Sequence, residues 1–262
     1  MKKTKATIIK NSELNDGIWD MIVYDEELTE DILPGQFVNL YCDDKSLLLP
    51  RPISICEVDK DRKTLRLVYK VIGKGTENFS SLKKGDKIEY IGPLGNGFEM
   101  FDNQEYDSYE NNEKNILIVG GGAGIPPLLE LSKRLKGNKK VFIGTEAEGL
   151  LEKDFEKYSD EVKLSSMSGK VGYKGTVIDL IIKEDPSIDI IYSCGPKPML
   201  KAVVDLANEK KVPAQVSVEE RMACGIGACL VCVCKKKENE NDWTYSRVCK
   251  DGPVYSKEEV VL

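Results

Sequence analysis

The sequence predicts a multi-domain protein: an antiparallel β-barrel, then an α/β domain built on a parallel sheet, then a small cysteine-rich module at the C-terminus. Three observations predict it. Residues 1–100 carry six strand-sized apolar runs separated by turn residues, the spacing of a small barrel. From Ile116 such runs alternate with helical patterns, which means a parallel sheet covered by helices. After Pro213 cysteines crowd together in a stretch of roughly fifty residues, too short for a robust core without a staple such as a metal centre. The chain length, 262 residues, suits two domains and a small module.

Each element has its own signal. The barrel runs are Ala6–Ile9, Ile18–Tyr24, Phe37–Tyr41, Arg51–Val58, Thr64–Val71 and Lys87–Ile91. Turn chemistry sits between them at Asn15-Asp16-Gly17, Pro34-Gly35, Asp59–Asp61, Lys84-Gly85-Asp86 and Gly92-Pro93. A short helix is expected at Glu77–Leu82. Residues 101–115, rich in acids and asparagines, read as a linker or exposed insertion. In the α/β domain, 116–212, the strands are Ile116–Val119, Val141–Gly144, Val162–Met167 and Ile188–Ser193. The helices are Pro127–Leu135, Leu150–Tyr158, Val177–Lys183 and Pro198–Asn208. The last module is 213–262, with an irregular tail from Asn241.

Composition narrows the chemistry. The net charge is -6, which argues against an electrostatic nucleic-acid binder, and Lys235-Lys236-Lys237 is too short to be a basic patch. The chain contains no histidine. That excludes Ser-His-Asp and Cys-His nucleophilic sites, H-E-x-x-H zinc hydrolases and Rieske centres. No apolar run approaches the ~20 residues of a membrane span, and the basic start is not followed by a signal-peptide core. A cytoplasmic, thiol-reducing location is expected, where the eight cysteines serve as metal ligands or buried thiols.

Cys224-Gly-Ile-Gly-Ala-Cys229-Leu-Val-Cys232, with Cys249 sixteen intervening residues on, has the spacing C-x4-C-x2-C plus a distant fourth. That is the plant-type 2Fe–2S spacing. The small residues between the first two cysteines let a loop curl with its N–H groups toward the sulfurs. A zinc site is the alternative, though structural zinc usually pairs two knuckles and Cys249 stands alone. Cys234, two residues beyond Cys232, would share its face on a strand and is either an alternative ligand or a buried thiol. Cys42 and Cys56 sit in strand patterns as core residues.

Arg51-Pro52-Ile53-Ser54 opens a barrel strand and resembles the R-x-(Y/F)-(S/T) signature of the ferredoxin–NADP reductase superfamily. A guanidinium there pairs with pyrophosphate oxygens and the hydroxyl reaches the flavin ring. Val68-Tyr69-Lys70-Val71 matches that family's second flavin-contacting strand. Gly73-Lys74-Gly75-Thr76 matches its phosphate turn before a short helix. The resemblance thus implies FAD held by Arg51, Pro52, Ile53, Ser54, Val68, Tyr69, Lys70, Gly75 and Thr76. The Gly73–Thr76 turn is not a Walker A loop, so ATP hydrolysis is set aside.

A dinucleotide site is read in the second domain. Strand Ile116–Val119 runs into Gly120-Gly121-Gly122-Ala123-Gly124 and an apolar helix, a phosphate-binding arrangement that departs from strict G-x-G-x-x-G. Cys194-Gly195-Pro196-Lys197-Pro198-Met199 resembles the family's C-G-P-x-P-M hallmark, which lies where nicotinamide meets flavin. Cys194 is read as a packing and positioning residue, since no histidine activates it. Gly144-Thr145-Glu146-Ala147-Glu148 is acidic and lacks the arginine that favours NADPH. Glu146 would accept from a free ribose hydroxyl, so NADH is expected over NADPH.

Taken together, Glu219–Cys229 and Val248–Val254 closely resemble the electron-transfer subunits of type B dihydroorotate dehydrogenases. In that family cysteines matching 224, 229, 232 and 249 hold the cluster, and an FMN-containing catalytic subunit oxidises dihydroorotate in pyrimidine biosynthesis. The resemblance implies a chain that passes electrons through 2Fe–2S and FAD to NAD, in a heterotetramer of two of each subunit. Nicotinamide moves hydride and an iron–sulfur centre takes one electron at a time, so a flavin belongs between them. No acid or base on this chain is required. Two other readings remain: a flavoprotein subunit of a ferredoxin–NADP or sulfide/polysulfide reductase, and a zinc-stapled redox-sensing protein without turnover.

Overall fold

The structure is a computed structural model describing residues 3–28, 31–100, 114–146, 149–239 and 242–262. Its first part is a closed six-stranded barrel in the order β1-β2-β5-β4-β3-β6, every pairing antiparallel. The strands are β1 Lys3–Asn15, β2 Ile18–Tyr24, β3 Phe37–Tyr41, β4 Arg51–Asp59, β5 Thr64–Lys70 and β6 Lys87–Leu94. Alternation sets the inward face: Ala6, Ile8, Met21, Val23, Val38, Leu40, Leu65 and Leu67 fill the barrel interior. β1 runs past its expected end at Ile9. The polar segment Lys10–Asn15 stays in the ladder through two bulges against β2 rather than turning. Helix α1, Lys74–Ser81, starts three residues before its expected position, because the Thr76 hydroxyl closes a capping turn with Ile72 and Gly73.

The second part is a seven-stranded sheet in the order β10-β9-β8-β7-β11-β12-β15. Its strands are β7 Asn115–Gly121, β8 Asn138–Thr145, β9 Glu161–Ser166, β10 Tyr173–Lys174, β11 Ile190–Cys194, β12 Ala214–Ser217 and β15 Val254–Ser256. All pairings are parallel except β12 with β15. β7 is buried on both faces, Ile116 and Ile118 toward one apolar cluster and Leu117 and Val119 toward another. Helices α2 Pro127–Arg134, α4 Val177–Glu184 and α5 Lys197–Lys210 lie close to their expected limits. The helix expected at Leu150–Tyr158 is a single turn, α3 Glu152–Phe155, continued by hydrogen-bonded turns to Tyr158.

Strand order reverses between β7 and β11, since the chain builds outward through β8 and β9 and then crosses back to add β11 and β12. Ligands bind in the crevice at such a switch point. The barrel is fixed against this sheet by polar contacts. Glu130 of α2 accepts from the Val58 N–H at 2.9 Å, Lys133 donates to the Val58 carbonyl at 2.9 Å, and Arg134 donates to the Ile32 carbonyl at 2.8 Å. Arg66 of β5 bridges Asp20 of the barrel and Asp154 of α3.

The C-terminal region is less separate than its cysteine content suggests. β12 and β15, both inside 213–262, belong to the sheet, and only the loop from Val218 and the hairpin β13 Val233–Lys237 with β14 Trp243–Arg247 stand apart. The tail expected to be irregular from Asn241 therefore contains two strands. β12 is only four residues long with a glutamine inside, too weak a pattern to see without its neighbour. Most of the linker expected at 101–115 lies outside the described residues, and Asn115 is already the first residue of β7. No helix among the described residues is long and apolar enough to cross a membrane.

Candidate functional site

Barrel, sheet and cysteine region meet at one cleft with a cavity volume of about 420 Å3, within the ~300–1,000 Å3 typical of small-molecule sites. All nine residues expected to contact flavin line it: Arg51, Pro52, Ile53, Ser54, Val68, Tyr69, Lys70, Gly75 and Thr76. Opposite them stand Ala123 and Gly124 after β7, and Cys194 and Gly195 at the end of β11. The third wall is Ser217–Met222, leading from β12 toward the cysteine loop.

Close approach explains several of these residues. The Arg51 guanidinium lies directly on Gly75, where a Cβ would sit 2.0 Å from Nε. A side chain at 75 would push that cation out of the cleft. Gly124 packs on the backbone of Cys194, its would-be Cβ 2.3 Å from the carbonyl carbon. The turn after β7 and the end of β11 therefore touch at the switch point. Thr76 is a turn organiser: its hydroxyl accepts from the Ile72 N–H at 3.0 Å and donates to the Gly73 carbonyl at 3.0 Å. Tyr69 turns its ring into the barrel against Phe79 and donates its hydroxyl to Asn11 at 3.2 Å. Ile53 occupies the aromatic position of the motif that the Arg51–Ser54 stretch resembles.

The remaining dinucleotide candidates fall elsewhere. Gly120 and Gly121 end β7, Gly122 opens the 3₁₀ turn, and Pro196 caps α5; none of them lines the cleft. Glu146 is exposed just past the end of β8. Cys194 is buried, and desolvation pushes its thiol up to about 12 against the partial relief of a hydrogen bond with Ser217. A thiol held neutral in this way is a poor nucleophile.

The cysteine loop carries a different electrostatic pattern. Gly225 and Gly227 take φ of +65° and +83°, the left-handed conformations that let the loop coil back on itself. Coiled so, the Ile226 and Ala228 N–H groups donate to Cys224 Sγ at 3.4 and 3.3 Å. The Gly227 N–H donates to Cys249 Sγ at 3.1 Å, and the Cys249 N–H to Cys232 Sγ at 3.4 Å. Burial opposes ionisation of Cys224, but these N–H groups and the Cys229 thiol outweigh it and draw the Cys224 thiol down to about 6. Burial and the adjacent Cys232 push Cys249 up to about 12.

The four thiols stand as two pairs in mutual reach, 224 with 229 and 232 with 249. Among the described residues no three potential ligands converge on a single metal-ion position. Four thiols in two neighbouring pairs suit a two-iron centre, with two thiolates per iron. The residues therefore fit the expected group. Cys232 immediately precedes β13, and it and Cys234 are both buried in one apolar cluster on either side of the half-buried Val233, as expected of residues two apart on a strand. The Cys234 thiol contacts the Tyr255 hydroxyl, itself 2.9 Å from Ser246 Oγ.

Sequence reasoning missed Phe37, Ile72, Ser217–Met222 and Pro253 as parts of the cleft. Residues 217–222 reach the carboxyl edge of the sheet through β12, a strand too short to give a signal in the sequence.

Comparisons with known proteins agree with this geometry. Residues 219–261 match the family model of the iron-sulfur cluster binding domain of dihydroorotate dehydrogenase B. A curated relative from Caldanaerobacter subterraneus subsp. tengcongensis is 40% identical over 99% of both chains. One from Listeria innocua is 40% identical over the whole of both, and one from Fusobacterium nucleatum 38%. All three are named dihydroorotate dehydrogenase B (NAD(+)), electron transfer subunit. A solved NADH-dependent reduced ferredoxin-NADP oxidoreductase, studied for flavin-based electron bifurcation, superimposes with a TM-score of 0.80 at 28% identity, over 98% of this chain and 89% of that one. A ferredoxin NADP+ reductase from Neisseria gonorrhoeae with bound FAD and NADP shares the fold (TM-score 0.62, 14% identity, 80% and 92% covered). With full-length relatives at this level, the chain belongs to the family of electron transfer subunits of dihydroorotate dehydrogenase B (NAD(+)).

Proposed function

We propose that this chain carries electrons from a catalytic dihydroorotate-oxidising subunit to NAD+, using FAD and a 2Fe–2S centre. One observation carries the reading: a single cleft gathers the flavin-motif residues, the turn residues of the dinucleotide motif and the segment that leads into the four-cysteine loop. When bound, flavin exchanges hydride with nicotinamide and single electrons with an iron–sulfur centre.

The residues divide the work. Arg51, lying on Gly75 at the start of α1, supplies the cation for a pyrophosphate, and Ser54 offers a hydroxyl toward the ring. Pro52, Ile53, Val68 and Lys70 form the rest of that wall. Gly124, Cys194 and Gly195 leave an unobstructed approach for nicotinamide, and the neutral Cys194 thiol keeps water and charge from the contact. Gly120, Gly121, Gly122 and Pro196 shape the phosphate turn behind it. Glu146 disfavours a 2′-phosphate, so NADH is preferred to NADPH. Cys224, Cys229, Cys232 and Cys249 are the cluster ligands. In functional terms 1–100 serves flavin, 116–212 the dinucleotide and 213–262 the cluster.

Cys229 is exposed, and Ile226, Leu230 and Val231 beside it are exposed apolar residues. This is the face over which we place the FMN-containing partner, in a heterotetramer of two of each subunit. Apolar cover there excludes water from the path by which electrons enter.

The test is anaerobic purification of the complex with analysis of flavin, iron and sulfide, followed by reduction with NADH and with NADPH. We expect bound FAD, a two-iron centre, a co-purifying FMN subunit and faster reduction by NADH. Colourless protein, or iron without flavin, overturns the reading. A ferredoxin in place of the FMN subunit would favour the reductase seen in the 0.80 superposition.

A further inference from the structure

Asn39 is an odd residue for the middle of a barrel strand. It is 1% exposed, and its neighbours Val38 and Leu40 point into the barrel while Asn39 points outward with Phe37, beneath the cysteine loop. Laterally it lies between Pro52 of β4 and Ile91 of β6, whose side chains offer no hydrogen bond. Its Nδ2 donates to the Cys224 carbonyl at 3.0 Å. Its Oδ1 is buried with no partner. Gly225 sits on the amide so closely that a Cβ there would lie 2.1 Å from Nδ2 and 2.8 Å from Oδ1.

Packing alone does not call for this arrangement. A leucine has similar size and would avoid burying an unpaired acceptor, which destabilises a fold. What the amide adds is a fixed link between the strand beside Arg51-Pro52 and the backbone of the first cysteine. A second asparagine makes the matching link at the other end of the ligand set: Asn96 Nδ2 donates to the Asp251 carbonyl at 3.0 Å and its N–H to the Gly252 carbonyl at 2.6 Å, just after Cys249. Both cysteine-bearing segments are thus held by the barrel.

We propose that Asn39 is a positioning residue for the cluster: it pins the Cys224 segment to the strand neighbouring the flavin wall and turns an amide carbonyl toward the loop. The inference rests on the proposed function above. Hydrogen bonds and dipoles beside a ligating loop tune the centre it holds. Asn39 itself does not line the cleft, so its loss leaves flavin binding intact.

The experiment uses the anaerobically purified complex carrying Asn39→Leu or Asn39→Ser. Four quantities are read: FAD content, NADH-driven dye reduction that needs only flavin, the EPR spectrum of the reduced cluster, and the rate at which NADH bleaches the cluster. We expect unchanged FAD content and dye reduction, altered g-values, and cluster reduction slowed about tenfold. An unchanged EPR spectrum and cluster rate in both variants would reduce Asn39 to packing and overturn the proposal. A parallel loss of FAD and dye reduction would overturn it too, by showing a barrel defect. Should Asn39→Leu fail to accumulate, Asn39→Ser decides, because it removes the reach to Cys224 without adding bulk. Wild-type protein lacking a cluster would sink the proposed function itself, whereas loaded wild type with indifferent variants sinks only the role of Asn39.

Discussion

Cys194 and Cys224 are the same residue under opposite conditions. At the floor of the cleft Cys194 is enclosed by the backbone of Gly124 and by Ser217, and its thiol is pushed up to about 12. In the coiled loop Cys224 receives N–H groups from Ile226 and Ala228, and its thiol comes down to about 6. The difference is supplied by backbone direction. A loop with left-handed glycines turns its donors toward sulfur, whereas a strand end spends its backbone donors on the next strand and leaves the thiol to desolvation, relieved only in part by Ser217. One environment favours a thiolate, the state a ligand needs, and the other a neutral thiol, which we read as a spacer.

The largest effect that can break this contrast is at Cys232 and Cys234. Both are buried, but the Cys232 sulfur receives the Cys249 N–H, from a fellow cysteine of the loop, whereas the Cys234 thiol sits against the Tyr255 hydroxyl. Cys232→Ser is expected to lose essentially all cluster iron, while Cys234→Ser retains it. Iron and sulfide analysis of the two anaerobically prepared variants checks this, and equal losses would erase the distinction drawn here.

A smaller effect is expected at the spacer. Cys194→Ala should slow flavin reduction by NADH by well under the ~100-fold that removing a proton-transferring group costs. Stopped-flow reduction measures it, and a larger fall would mean that the thiol takes part in the chemistry. The smallest effect is on stability at alkaline pH. The unfolded chain releases the Cys194 proton near 9.0 whereas the folded chain holds it to about 12. The native state therefore loses stability as pH rises from about 9 to 12, by at most about 1.4 kcal/mol per unit from this group. Thermal melts of Cys194→Ala should show a shallower alkaline decline than wild type, and identical slopes would assign the decline to other groups.

Legibility followed sequence distance. The C-x4-C-x2-C loop and Arg51–Ser54 were readable because their geometry is local: a few adjacent residues decide the turn and the strand start. The barrel's alternation and the all-apolar β7 were readable for the same reason. Asn39 was not, since its partner is 185 positions away and asparagine in a strand carries no pattern. Ser217–Met222 stayed hidden because β12 is four residues long and acquires its meaning only beside β11. Leu150–Tyr158 looked helical by periodicity, yet Leu150 and Phe155 are buried by a single turn and the loops around it.

β15 has a consequence for how this polypeptide can be cut or rearranged. After leaving the sheet to form the cysteine loop, the chain comes back and lays Val254–Ser256 antiparallel along Ala214–Ser217. Trimming the tail at residue 213 would take both outer strands with it and expose the β11 backbone as an unprotected edge, an invitation to self-association. The iron-binding segment is thus no detachable cassette: its final strand is a selvedge that keeps the dinucleotide sheet from fraying.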